Sequence, residues 1–448
     1  MAIYYVRKTG NDTTGDGSTG NPWLTIDKAY RTVSIGGGHT INVGDGTYAE
    51  NNGSGLWTIN RNFAAEVVIQ AENGSAGAVT ITGSSHATYN VLTAGTCANH
   101  TFRYVTFAVR PGSLKAFAPN VSVASLTVSN LTFDACRFTG VDESGGYPIQ
   151  FATGAAGSTV SITFTDCSID QPRADSNAAV HYTTGSNNTV TLTFTRCTVT
   201  STTRTIMVQA PGAVVVNITG GTWSGAGAAK VGVLLGVDGN TGNGVSGGTI
   251  TGATLSTTVS HTLLLGAGAS GVTVSGCRIV GGDHAVVLKS ASSCTVERNT
   301  LVGGTLATVL LKGASNCTVR NNHITAAAAG EAAISNYDGA ATYVSSGCTI
   351  TGNTVVATGT AEALEWDANG DANGASPASG DNVIDANVYA VSGTANFGDV
   401  MGTNNIASLA ALRAAWASYG DGTNDDNSSI PVPAPSPFFS GFNYGYNF

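Results

Sequence analysis

Charge is scarce in this chain of 448 residues. Asp, Glu, Lys and Arg make up 10% of it, with 19 basic residues against 28 acidic ones and a net charge of −9. A negative balance argues against a generic nucleic-acid binder. Long apolar runs are missing as well; nothing approaches the roughly 18 consecutive residues that a membrane span needs. The start, MAIYYVRKTG, has no charged n-region, apolar h-region or cleavage site of a secretion signal. Either a leader was removed, or the protein leaves its cell without one, as a virion protein does on lysis. The Met-Ala start favours the second, so the expected location is virion or extracellular. Eight cysteines occur without CxxC spacing, which reads as reduced core thiols rather than zinc ligands. Walker loops, zincin helices and GxSxG elbows are also absent.

Glycine, by contrast, is abundant at 59 residues, in a chain whose hydrophobic share is 42%. That is too apolar for disorder, and turn residues punctuate short strands as an all-β fold requires. One phrase recurs: CTVERNTL from Cys294, CTVRNNHI from Cys317 and CTITGNTV from Cys348. Offsets 0 and +2 alternate as in a strand, and the step to +5 and +7 implies a short corner and a second strand. Related phrases begin at 100, 131, 162, 192, 216, 248, 272 and 382, which makes eleven copies. Offset +5 reads Val, Cys, Cys, Cys, Gly, Ala, Cys and then four Asn. Inward Asn residues stacked on one another can hydrogen-bond along the stack. The residue before is often Gly, Asn or Asp, which tolerate a left-handed corner. These features together indicate a parallel β-solenoid, with loops of variable length on one side.

Ahead of the repeats, residues 1–50 combine a strand, a Gly/Asp/Thr loop, a short helix near Thr25–Val33 and a strand pair that includes Ile41, Val43 and Tyr48. The order YYV, GND, GDGS, NPW, TI and DGTY resembles the N-terminal cap of the pectate-lyase-like right-handed parallel β-helix superfamily. That superfamily includes polysaccharide lyases, epimerases, glycosidases and bacteriophage tailspikes. The resemblance implies a single-stranded right-handed parallel β-helix: a cap over 1–50, the solenoid over 51–395, and a closing helix with an aromatic tail over 396–448. Inward candidates in the early coils are Val67, Ile69, Val79 and Ile81. The segment 361–381 reads as the longest surface loop, and SLAALRAAWASYG as an amphipathic helix. The Pro- and aromatic-rich tail must pack on something.

Candidate chemistry is sparse. Offset +1 is Thr in nine copies, a face that could order ice-like water and is equally an ordinary solvent-facing strand. Arg103 with Asp134, and Glu297 with Arg320, fall on neighbouring rungs as ion pairs. Lys289 and Lys312 each precede a phrase by five residues and should point outward one above the other. Such like charges repel unless an anion or carboxylate lies between them. By analogy with lyases of the superfamily, Lys289 or Lys312 is the base and Arg298 or Arg320 a supporting cation, with His284 nearby. Glycosidase chemistry would use paired carboxylates, Glu331 with Asp338, or Glu362, Glu365 and Asp367 beside Trp366, whose ring could stack on a sugar. His181 and Tyr182 form a candidate proton-transfer pair. Asp12 and Asp16, and Asp421, Asp425 and Asp426, could bind Ca2+ or simply form Asx turns.

The expected function is a virion-surface, tailspike-like module engaging a host-cell glycan. The alternative is a lyase or glycosidase acting on an acidic polysaccharide, and a lesser alternative is a Thr-face scaffold. The expected partner is polysaccharide or cell-surface glycan, with trimerisation or docking to other virion proteins as an expectation of the spike reading.

Overall fold

The computed structural model describes residues 1–448 except 51–56, 83–90, 110–114, 120–124, 141–146, 152–156, 173–177, 183–187, 227–231, 240, 259, 327–331, 337–344, 367–381, 401–402, 419–425 and 431–448. The chain winds into a solenoid whose walls are three sheets of 14, 13 and 14 strands, here sheets 1, 2 and 3 in the order the chain visits them. The pairing is parallel except for the last pair of sheet 3, Asn396–Val400 with Thr403–Ile406. Each recurrent phrase supplies a sheet 1 strand, a corner and a sheet 2 strand, as in Thr295–Glu297 followed by Thr300–Val302. Sheet 3 is built from the stretch between phrases, such as His284–Lys289.

The corner carries the expected strain. At offset +4 all eleven copies are left-handed: Tyr104, Ala135, Asp166, Arg196, Gly220, Gly252, Gly276, Arg298, Asn321, Gly352 and Ala386, with φ between 49° and 67°. Where the next residue is Cys or Asn, its side chain turns inward and bonds to the coil before it. Asn299, Asn322, Asn353 and Asn387 donate through Nδ2 to the carbonyls of Val274, Val296, Val319 and Ile350 at 2.8–3.0 Å. The Oδ1 atoms of Asn322, Asn353 and Asn387 accept from the Asn one coil back, as Asn322 does from the backbone N and Nδ2 of Asn299. Asn299 Oδ1 accepts from the backbone N of Cys277. Earlier in the chain the same job falls to thiols. Cys136, Cys167, Cys197 and Cys277 donate through Sγ to Phe102, Phe133, Phe164 and Ile250 at 3.3–3.4 Å. All eight cysteines are buried and reduced, and burial pushes the Cys136 thiol up to about 12.

A buried asparagine ladder fails sharply when one member is removed, because its neighbours keep their unmet polar groups. Asn322→Ala orphans Asn299 Nδ2 and the Val296 carbonyl. It is expected to cost about 2–4 kcal/mol, read as a lowered urea midpoint. The exposed-face variant Thr295→Ala should stay within about 0.5 kcal/mol of the parent.

The core is aromatic in the first half and aliphatic in the second. Phe102, Phe133, Phe164 and Phe194 stack in one column of sheet 1, with centroids 4.9–5.4 Å apart and planes within 14°. Further along, the column continues as Ile218, Ile250, Val274, Val296, Val319 and Ile350, all fully buried. The expected inward residues Val67, Ile69, Val79 and Ile81 are buried too.

The first end is closed by helix α1, Ile26–Thr32, with Thr25 as its N-cap. Asp12 accepts from the backbone N of Leu24 and Thr25, and Asp16 from that of Ser18. Asp12 thereby ties the loop to the start of the helix, and Asp16 closes a turn. Asp421 and Asp425 lie outside the described residues, and among those described no group of three or more side chains is arranged to hold a metal. Glu50, 2% exposed, accepts from the first helical N–H groups, Ile26 and Asp27, at 2.9 Å. Burial, with a smaller push from Asp27 and Asp12, raises its carboxyl from 4.5 to about 7. The folded cap thus holds this proton more tightly than the unfolded chain does. Its contribution is full below pH 4.5 and is lost as pH rises through 7. Hydrogen exchange of 26–32, corrected for intrinsic rates, should report a cap weaker at pH 8 than at pH 4.5 by up to about 3 kcal/mol. Glu50→Gln should flatten the dependence; a cap that strengthens with pH would contradict it.

At the far end helix α2, Leu409–Ser418, buries Leu412 and Trp416, and Trp416 meets Trp366 edge to face at 6.2 Å. This corrects the expected loop at 361–381. Its first residues form the strand Glu362–Trp366, and Trp366, 2% exposed, lies in the core where it cannot stack on a sugar. No helix among the described residues is long and apolar enough to cross a membrane.

Candidate functional site

The residues named from sequence do not converge. Lys289 and Lys312 sit opposite each other at the ends of adjacent sheet 3 strands, as expected. The carboxylate that pairs with Lys289 is Asp238, two rungs earlier, 2.7 Å from its Nζ, and it was missed in the sequence. Arg298 and Arg320 occupy another wall, sheet 1 and its corner, where both pair with Glu297, Arg320 at 2.7 Å and Arg298 at 3.4 Å. Arg103 pairs with Asp134 at 2.7 Å, the other ion pair expected. Glu331, Asp338 and Asp367 lie outside the described residues. Glu362 and Glu365 do sit on the outer side of sheet 3, accepting from Asn396 Nδ2 and Ser335 Oγ. His284 starts a sheet 3 strand and faces His261, not the lysines.

A tighter constellation lies in the first half of sheet 3, on four consecutive strands: Lys115–Pro119, Tyr147–Gln150, Ala178–Tyr182 and Arg204–Val208. In register, Lys115 stands opposite Tyr147, Gln150 opposite His181, and Ala178 opposite Arg204. Alternation sends Val180 and Tyr182 into the core and His181 outward. Tyr182 is fully buried, so the partner of His181 is not its sequence neighbour. It is Tyr147, whose ring stacks on the imidazole at 5.2 Å with planes 17° apart. Gln150 Nε2 lies 2.9 Å from His181 Nδ1 and fixes the ring. His181 is 5% exposed, and its Nε2 has no hydrogen-bond partner among the described residues.

The electrostatics follow from this packing. Burial, then the positive charges of Arg204 and Lys115, lower the His181 imidazole to about 4. Burial also lowers the Lys115 ammonium and the Arg204 guanidinium. The result is a neutral imidazole with one buried nitrogen unpaired among the described residues, between two half-buried cations and against an aromatic hydroxyl-bearing ring. Such a group can accept a proton near neutral pH, and the cations can bind an anion beside it. In an open cleft of about 470 Å3 at the first coils, lined by Arg7, Lys8, Asp45, Glu72 and Asn73, Arg7 pairs with Glu72 at 2.7 Å, Lys8 lies over the Tyr48 ring and Asp45 accepts from Asn73 Nδ2.

Residues 206–388 match the family described as right handed beta helix region. No curated protein matches. Similar solved structures include the AlgE6 A-module of an Azotobacter vinelandii mannuronan C-5 epimerase, 11% identical, with 91% of this chain and 94% of that one covered and a TM-score of 0.44. Another is a mannuronic acid specific polysaccharide family 6 lyase from human gut microbiota, 12% identical, covering 88% and 87%, with a TM-score of 0.41. A pectin methylesterase from Aspergillus niger is 14% identical, covering 66% and 84%, with a TM-score of 0.34.

Proposed function

We propose that this chain, a pectate-lyase-like right-handed parallel β-helix, is a lyase acting on an acidic polysaccharide at the outer wall of sheet 3, with His181 as its base. The observation that carries the reading is the buried, neutral imidazole of His181, whose Nε2 has no hydrogen-bond partner among the described residues, between two cations. Lys115 and Arg204 hold a uronate carboxylate, which makes its neighbouring C5–H bond more acidic as charge develops. The Gln150 amide nitrogen faces Nδ1; base catalysis by Nε2 requires that this amide turn over, so that its oxygen accepts from Nδ1–H and Nε2 carries the lone pair. Nε2 takes the C5 proton, the electron pair forms the C4=C5 double bond, and the C4–O4 bond breaks. The Tyr147 hydroxyl protonates the departing O4.

The test is a panel of acidic and neutral bacterial and algal polysaccharides, followed at 235 nm for unsaturated ends and, separately, for new reducing ends. Unsaturated product from a polyuronate is the expected result. Reducing ends without unsaturation would move the chemistry to Glu362 and Glu365. Binding without either product would return the chain to the reading of a virion-surface module that engages a glycan.

A further inference from the structure

A second pair of imidazoles on sheet 3 takes no part in that chemistry. His261 and His284 open the consecutive strands His261–Leu265 and His284–Lys289 and lie opposite each other in register. Their Nδ1 atoms are 3.0 Å apart and the rings meet edge to face, with centroids at 4.8 Å. His261 is half-buried and His284 is 5% exposed. Burial holds both below the ordinary imidazole range, His284 at about 4. At neutral pH two uncharged rings therefore share a single proton between facing nitrogens. Uncharged imidazole is the form that binds metal ions.

The spacing selects among ions. Two metal–nitrogen bonds of about 2.0 Å spanning the 3.0 Å gap subtend an angle of about 95–100° at the ion. That is the angle between adjacent ligands of a square-planar or octahedral ion. A tetrahedral ion would need the nitrogens about 3.3 Å apart. The surrounding charge is mixed. Asp238 and Asp283 favour a cation at His261, while Lys289 and Lys312 oppose it. Both carboxylates are tethered, Asp283 by Thr305 Oγ1 at 3.1 Å and Asp238 by Lys289, so they act through the field rather than as ligands.

We propose that the His261–His284 pair is a binding site for one divalent transition-metal ion of the copper–nickel class, held by the two Nδ1 atoms as adjacent ligands with water in the remaining positions. On binding, the shared proton moves to the free Nε2 of the ring that donated it, so no net proton is released. His261 lies three rungs, about 14 Å, and His284 four rungs, about 19 Å, from His181 along the sheet, and the proposal stands apart from the lyase reading.

The test uses the full chain and Cu2+ at pH 7.4. Calorimetry should give one equivalent, and electron paramagnetic resonance should resolve hyperfine coupling to two imidazole nitrogens. His261→Gln and His284→Gln, which keep a hydrogen-bonding side chain across the rung, should each weaken binding at least tenfold. His323→Gln, an exposed histidine on sheet 2, should leave binding unchanged. A spectrum of the unaltered protein without two-nitrogen coupling would overturn the proposal without recourse to any variant. So would equal affinity in folded His261→Gln and His284→Gln proteins.

Discussion

Replacing His181 with Gln is expected to lower kcat on the acidic polysaccharide it cleaves by roughly 10²–10⁴-fold, the usual contribution of a positioned general base. Glutamine matches the imidazole in reach and polarity but cannot accept the C5 proton at neutral pH. It still packs against Tyr147 and can bond to Gln150, so sheet 3 should keep its fold. KM should move little, because the carboxylate is held by Lys115 and Arg204 rather than by the imidazole. The split is the informative part, measured from initial rates at 235 nm. A variant with unchanged kcat and a raised KM would make His181 a binding residue only. A variant that loses its circular dichroism spectrum would make it structural.

Phe133→Ala should be the most damaging single core change, costing about 3–5 kcal/mol. Its ring lies at a junction of three walls. It stacks on Phe102 and Phe164 along sheet 1, meets Phe107 and Phe138 of sheet 2 edge to face at 5.6 and 5.1 Å, and reaches Phe117 of sheet 3 at 4.9 Å. Its removal opens a cavity that five neighbouring rings, themselves packed coil on coil, cannot collapse to fill. In a solenoid each coil leans on its neighbours, so the loss should appear as early unfolding of the first half. A biphasic urea transition is the expected signature, with the Asn-laddered half retained. Phe133→Leu should cost under about 1.5 kcal/mol. A loss below about 1 kcal/mol for the alanine variant would mean that the aromatic column does not support the first half.

Much of the fold was legible because the β-helix repeats its constraints. The left-handed corner at offset +4 recurs in every copy, a Cys or Asn that bonds inward follows it in eight of the eleven, and a column of Asn is hard to mistake. Two things hid the rest. Over residues 51–99 loops separate the strands unevenly, so no phrase aligns there although Val67, Ile69, Val79 and Ile81 point inward. The sheet 3 strands fall between phrases, where loop lengths differ at both ends and no fixed offset points to them. The site inherits that difficulty. Lys115, Tyr147, Gln150, His181 and Arg204 are spread over some ninety positions and meet only because four coils stack. His181 was visible as a candidate, but its neighbour Tyr182 drew attention away from Tyr147, which lies one coil back. Trp366 misled for the reverse reason. The Asp-, Asn- and Gly-rich run after it reads as loop, yet the alternation of Leu364, Glu365 and Trp366 already sends the indole inward.

The most direct test is the pH dependence of kcat/KM on the polysaccharide that the panel identifies. A base must be uncharged to act, so activity is lost as pH falls through the pKa of His181 in the free enzyme. Burial and the flanking cations hold that imidazole at about 4. The predicted profile is therefore flat from neutral pH down to about 5 and falls only near 4, and the limb is missing from His181→Gln. An acidic limb between pH 6 and 7, or one that persists unchanged in His181→Gln, would place the base elsewhere.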